Sequence, residues 1–260
     1  MTRLKQLSPK KMRLQKKTHF QKKLEKPWLS IIIPTLSEEK IIGETLEKIK
    51  AIAPPGVEII VADGRSRDHT VEIALKHGAR VVFEGRGFPS IGSGRNAGAK
   101  VARAELFLFN DADTVPDSRF FDVIRKDFRD ERVVGVGCKV MPDEQGVLTR
   151  AFFNFLNFLV RVSVWLGRPS IAGNCVAYRK KPFWKVKGFD EEMQASEDQD
   201  LCIRVSKLGK IVYHPELVAI TSSRRLKKFG LLGLILDWSR TTINFLLGRK
   251  TKRYAIIREV

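Results

Sequence analysis

From Trp28 to Pro34 the chain reads Trp-Leu-Ser-Ile-Ile-Ile-Pro, a short apolar run closed by proline, which predicts a buried parallel strand. Lys40 to Ile52 then sets Ile41, Ile42, Leu46 and Ile49 near helical spacing, with acids early and lysines late, until Pro54-Pro55-Gly56 stops it. Val57 to Ala62 predicts the next strand, Thr70 to His77 a helix capped by Gly78, and Ala79 to Phe83 another strand. Glu84 to Gly94 reads as a glycine-rich loop, Asn96 to Ala104 as a helix of small residues, and Leu106-Phe-Leu-Phe-Asn110 as a central strand with no polar face. Asp117 is placed to cap a helix running to Phe128, and Val133 to Val140 reads as a strand. Such alternation predicts a parallel α/β sheet with helices on both faces.

The second half is patterned differently. Ala151 to Leu166 is densely apolar, broken by Arg161, and Phe229 to Leu247 is similar, interrupted by Asp237 and Arg240. Charges near the middle make both poor membrane spans. They suit amphipathic helices lying in a membrane interface, or helices packed on the core. Basic residues flank the C-terminal stretch (Arg224, Arg225, Lys227 and Lys228 before it, Arg249, Lys250, Lys252 and Arg253 after), which favours the membrane surface there.

Charge sharpens this division. The 260 residues carry 48 Lys+Arg against 29 Asp+Glu, a net +19, which calls for an anionic partner. Much of the excess lies in residues 1–27, a basic arm from Arg3 to Lys26 whose single acid is Glu25. The arm has no apolar h-region, so it is not a secretory signal; it either meets anionic headgroups or is a solvated tail. Cys138, Cys175 and Cys202 are too widely spaced for a C-x-x-C metal pattern and read as reduced thiols. His77 and His214 are isolated and read as structural.

Three polar clusters carry candidate chemistry. Asp111-Ala112-Asp113 follows the apolar strand directly, placing two carboxylates at its C-terminal end, where open α/β sheets bind ligands. Such a pair repels itself unless a cation intervenes, and hard oxygen donors suit Mg²⁺ or Mn²⁺; the alternative is a turn. Asp63-Gly-Arg-Ser-Arg-Asp68 puts a carboxylate at a second strand end, able to accept from a nucleobase N–H, with Asp68 as a helix cap. Gly92-Ser-Gly-Arg-Asn-Ala-Gly98 is a turn entering a helix, whose N–H groups and Arg95 are candidates to face phosphate, although no P-loop follows. In Glu197-Asp-Gln-Asp200, Asp200 is spaced to pair with Arg204, leaving Asp198 to enter a cleft as a general base or to satisfy a helix dipole.

Taken in order, these segments resemble the family 2 glycosyltransferases. Ile31-Ile-Ile-Pro-Thr-Leu-Ser-Glu-Glu39 is similar to the family's opening motif, Val61 to Thr70 to its second, and Arg95-Asn96 through Asn110-Asp-Ala-Asp-Thr-Val-Pro116 to the DxD region. Gly188-Phe-Asp190 with Glu197 to Leu201 and Arg204 is similar to the acceptor-side signature. The resemblance spans about Leu29 to Arg225. It implies a GT-A fold, a Rossmann-like and mostly parallel sheet with flanking helices, and inverting transfer of a hexose-type sugar from a nucleotide-sugar donor (UDP- or GDP-sugar). It also implies site roles: Pro34, Thr35 and Asp63 around the nucleoside, Asp111 on the donor, Asp111 and Asp113 on a Mg or Mn cation, and Asp198 as base; Arg95, read from its place in the glycine-rich turn, joins the donor contacts. Glu197, Arg224 and Arg225 would contact acceptor or phosphate.

Arg65 and Arg67 depart from the small residues usual in the second motif, which blurs the donor preference. Ser222-Ser-Arg-Arg225 before an amphipathic helix resembles branches acting on lipid acceptors, including polyprenyl-phosphate sugar transferases. The expected organisation is therefore a basic arm (1–27), a GT-A domain (28–222) and membrane-surface helices (223–260). A lipid-linked or glycan acceptor and an anionic membrane surface on the cytoplasmic side are the expected partners, with no nucleic acid. A nucleotidyltransferase would show a basic glycine-rich loop after the first strand, where Pro34 to Glu39 has neither. A nucleic-acid-binding module would be basic too, but no such motif is present.

Overall fold

A computed structural model describes residues 26–85, 90–144 and 146–251. Most of the basic arm, together with Lys252 and Arg253, lies outside the described residues. Eight strands form one sheet in the order β3-β2-β1-β4-β7-β6-β8-β5. They are β1 (Leu29–Thr35), β2 (Val57–Asp63), β3 (Arg80–Phe83), β4 (Leu106–Asn110), β5 (Thr114–Val115), β6 (Val133–Pro142), β7 (Cys175–Arg179) and β8 (Lys210–Thr221). The β3-β2-β1-β4 half is parallel. β7 runs antiparallel between β4 and β6, and β5 antiparallel to β8.

Alternation along β1 shows why the runs are apolar throughout. Leu29, Ile31 and Ile33 enter one core and Ile32 the other, so a strand covered on both faces has no polar side. On the first face lie α1 (Ile42–Ile52), α2 (Thr70–Lys76) and α4 (Phe120–Asp127). On the second lie α3 (Ile91–Val101), α6 (Lys180–Lys185) and α7 (Glu197–Ser206), around Phe107, Phe109, Phe183 and Phe189. Two longer helices, α5 (Val147–Trp165) and α8 (Arg224–Leu246), pack against each other through Phe153, Leu226 and Leu234, with Phe152 stacked on Trp238.

α3 corrects one expectation. It begins at Ile91 rather than Asn96, because Ser90 and Ser93 form a reciprocal capping box. The glycines of the supposed turn thus lie inside the helix. Gly98 shows their purpose: a Cβ there would lie 2.4 Å from Ile32 Cγ2, so its absence lets the helix sit down on the sheet.

Candidate active site

Because β1, β2 and β4 are parallel, their C-terminal ends open on one edge, with Thr35 opposite Asp63 in register. The connections run outward from β1 to β2 and β3, then return to β4 on its other side, so β1 and β4 flank the switch point where such sheets bind ligands. Pro34 is half-buried at this mouth and Thr35 is buried beside it. Asp63 is wholly buried and holds its own loop: Thr35 Oγ1 (3.0 Å), Ser66 Oγ (2.6 Å) and Ser66 N (2.8 Å) donate to it. That turn carries Arg65 in the left-handed region (φ 66°). In this structure Asp63 shapes the loop that carries Ser66. Asp68 lies one residue before the N-cap of α2, His69, and accepts from Thr70 N (3.1 Å) and Thr70 Oγ1 (2.6 Å) rather than capping the helix itself.

The acids after β4 are held separately. Asn110 donates to the Asp111 and Thr114 carbonyls (2.9 and 2.8 Å), fixing the turn that carries both. Asp113 accepts from Arg224 Nη2 at Oδ2 (2.9 Å) and from the Thr221 hydroxyl at Oδ1 (3.2 Å). Arg224 also donates to Glu38 (2.6 Å), so one guanidinium joins the β1 loop, the β4 turn and the head of α8. Burial and the neighbouring Asp111 push the Asp113 carboxyl up, against the pull of Arg224. Burial likewise raises Glu38, with Arg224 opposing. Beside them is a cavity of about 190 Å³ lined by Glu38, Glu39, Ile41, Ser222, Arg224 and Lys227.

The third cluster surrounds Arg95. Its side chain is buried and donates to Asp111 Oδ1 (2.8 Å), Glu197 Oε1 (2.8 Å) and the Gly173 carbonyl (3.1 Å), with its guanidinium 5.2 Å from the Phe189 ring centre. This corrects the phosphate-facing role expected of Arg95, which instead ties the β4 turn to the start of α7. Asp198, half-buried, accepts from Gly173 N at Oδ2 (2.7 Å) and from Gln199 N at Oδ1 (2.8 Å). Burial raises its carboxyl, although Arg95 and those two N–H groups pull it down. Glu197 is pushed up to about 7 by burial and by the charge of Asp198, with Arg95 opposing. Asp200 pairs with Arg204 (2.8 Å), as the spacing predicts.

Asp111, Asp198, Glu197 and Arg95 thus form one connected group, while Asp113, Glu38 and Arg224 form another that meets it at the β4 turn. Arg225 is in neither, since its guanidinium faces Asp237 (3.8 Å). Sequence reasoning missed Glu38, although its motif was in view, and missed Gly173, although Gly173-Asn174 marks a turn just before β7. Among the described residues no group of three or more His, Cys, Asp or Glu side chains forms a metal cage. The all-oxygen pair Asp111 and Asp113 nevertheless fits a cation such as Mg²⁺, which takes one or two carboxylates and completes its shell with water and phosphate.

Comparison with known proteins agrees with this geometry. The model of Glycosyl transferase family 2 matches residues 30–187, more than half of the chain. A probable glycosyltransferase, YdaM, of Bacillus subtilis is 28% identical over 211 residues, covering 73% of this chain and 48% of that protein. An uncharacterized glycosyltransferase of Mycobacterium tuberculosis is 36% identical over 90 residues, covering 35% and 38%. The chain therefore spans half or less of the length of these relatives. Among solved structures, the mannosyltransferase PcManGT of Pyrobaculum calidifontis, in complex with GDP-Man and Mn²⁺, aligns with a TM-score of 0.61 at 19% identity, over 88% of this chain and 72% of that one. Glucosyl-3-phosphoglycerate synthase of Mycobacterium tuberculosis, with Mn²⁺, UDP and its product, gives 0.59 at 19% identity, over 90% and 84%. These likenesses identify the fold as GT-A.

Proposed function

Because the chain belongs to glycosyl transferase family 2, we propose that it is an inverting, metal-dependent enzyme moving a hexose from a UDP- or GDP-sugar to an acceptor at a membrane surface. The observation carrying this reading is the pair Asp111 and Asp113 at the switch point, with a raised carboxylate pair, Glu197 and Asp198, fixed to it through Arg95. The GDP-Man and UDP bound with Mn²⁺ in the fold neighbours support it.

Pro34, Thr35 and the loop built on Asp63 form the nucleoside side of the cleft. Asp111 and Asp113 would hold Mg²⁺ or Mn²⁺, whose charge stabilises the departing diphosphate when bound. Asp198 takes the proton of the acceptor hydroxyl, the acceptor oxygen bonds to the anomeric carbon, and the bond to the diphosphate breaks with its electron pair on the leaving oxygen. Attack opposite the leaving group inverts the anomeric configuration. A carboxyl raised by burial is a better base than an exposed one, since catalytic pKa values near the working pH are favoured. Arg224 stands where an acceptor phosphate or the diphosphate would pass.

A lipid-linked acceptor fits the way α8 begins in the site at Arg224 and continues with Leu232, Leu236 and Ile243 exposed. The cytoplasmic face of the membrane is the matching location. A panel of UDP- and GDP-sugars, assayed for nucleoside diphosphate release with and without Mn²⁺, tests the reading; no release from any donor would refute it.

A further inference from the structure

α5 resembles a membrane span in length and composition, and little of it is buried in the protein. Its exposed apolar residues are not scattered. At about 100° per residue, Val147, Leu148, Phe155, Phe158, Trp165 and Leu166 fall within roughly a third of the helix circumference. Trp165 is 83% exposed, so among the described residues this face has no partner and is not a loosely packed core.

The opposite side of α5 is fastened to the sheet. At mid-helix, Asn157 accepts from Val140 N (3.1 Å) and Tyr213 Oη (2.9 Å) and donates to the Val140 carbonyl (2.8 Å). Phe153 on that side is buried against α8. A helix pinned at its middle to a folded domain cannot cross a bilayer without pulling that domain in with it.

α8 supplies a second stripe. Beyond Gly230, where the backbone breaks helical geometry (φ 66°, ψ 170°), Leu232, Leu236, Ile243 and Leu246 recur on one face and are exposed. Exposed cations border the two stripes: Arg150 and Arg161 on α5, Lys227, Lys228 and Arg240 on α8, and Arg249 beyond it. An apolar face rimmed by cations complements an anionic bilayer surface, in which such helices sit about 5–10 Å deep.

We infer that α5 and α8 together form a monotopic dock whose occupant is an anionic lipid bilayer, with α5 lying in the membrane plane. This deepens the membrane context proposed above and rests on it, adding α5 to the basic C-terminal segment. Since α8 begins on Asp113 through Arg224, the dock sets the cleft at the lipid surface, where a lipid-linked acceptor presents its head group.

The full chain, sedimented with phosphatidylcholine vesicles with or without phosphatidylglycerol, should bind the anionic ones tenfold or more tightly. Phe155→Asp with Phe158→Asp should lose that binding, as should Leu232→Asp with Leu236→Asp, while circular dichroism stays unchanged. Trp165 fluorescence should be quenched by lipids brominated high on the acyl chain, a signal that Trp165→Phe removes. Equal binding by the Phe155/Phe158 variant would overturn the role of α5, even with the C-terminal segment still membrane-bound. Quenching strongest from the bilayer centre would make α5 a span. A dimer without lipid that the α5 variant dissociates would show that the face serves a second copy. None of these readouts uses transferase activity, so their failure is distinct from failure of the enzymatic reading.

Discussion

Arg95 and Asp198 are joined through a single residue: the Gly173 carbonyl accepts from Arg95 Nη2 at 3.1 Å, and the Gly173 N–H donates to Asp198 at 2.7 Å. A side chain has no room there, because a Cβ would lie 2.7 Å from both Arg95 terminal nitrogens. Arg95 cannot move aside, being buried and held by Asp111 and Glu197. Gly173→Ala is expected to lower turnover at least tenfold and to cost about 1–3 kcal/mol of stability, the usual range for overpacking. Steady-state kinetics with urea denaturation checks both; wild-type turnover would show that this peptide does not position the base.

Removing the arginine itself should do more. Arg95→Met leaves Asp111 and Glu197 without their shared cation, and breaking a buried ion pair from one side costs about 3–5 kcal/mol. Urea denaturation should show that loss most fully on the alkaline side of pH 7 and a smaller one at acid pH, where Glu197, raised to about 7, is protonated.

Asp113→Ala should abolish metal-dependent turnover and leave the fold intact, since Asp113 sits at the mouth of the sheet and not in either core. Nucleotide release across a Mn²⁺ titration, with circular dichroism as control, checks this. Full activity of the variant in EDTA would remove Asp113 from the cation site.

His214 gives a test away from the site. Its ring nitrogens lie 2.7 Å from Asp127 and 2.7 Å from Glu216. Burial pulls its pKa down, but the hydrogen bonds and charges of Asp127 and Glu216 outweigh this and hold it above the ordinary 6.5. The folded state therefore keeps a proton that the unfolded chain releases. This contribution is complete below the unfolded pKa and is lost as pH rises through the folded one. His214→Gln should cost more stability at about pH 5.5 than at about pH 9; an equal cost at both would contradict the pairing.

The first half of the fold is legible in the sequence because β1 and β4 are apolar on both faces and α1 is amphipathic. β8 is not, since Pro215 and a register shift opposite Cys138 and Lys139 break its period. β7 is only five residues, and although Gly173-Asn174 marks a turn just before it, its antiparallel insertion is decided by tertiary packing. At the site, Asp111, Asp113 and Asp198 follow from their strand-end and helix-start positions. The burial of Arg95 does not, because an arginine is buried only when distant carboxylates meet it, and Glu197 lies 102 residues away. Gly92 and Gly94 suggest a phosphate cradle in sequence, yet the capping box at Ser90 draws them into α3.

The central claim is a transfer in which Asp198 activates the acceptor, and comparing Asp198→Asn with the wild type tests it most directly. The substitution keeps the shape of the side chain and removes its basicity. With a donor and a hydroxyl acceptor present, nucleoside diphosphate release should fall at least about a hundredfold, within the 10²–10⁴ typical of losing a general base. Nucleotide binding, measured by equilibrium dialysis, should persist. Near-wild-type release would contradict the claim, pointing to an already anionic phosphate acceptor held by Arg224 and removing Asp198 from the catalytic group.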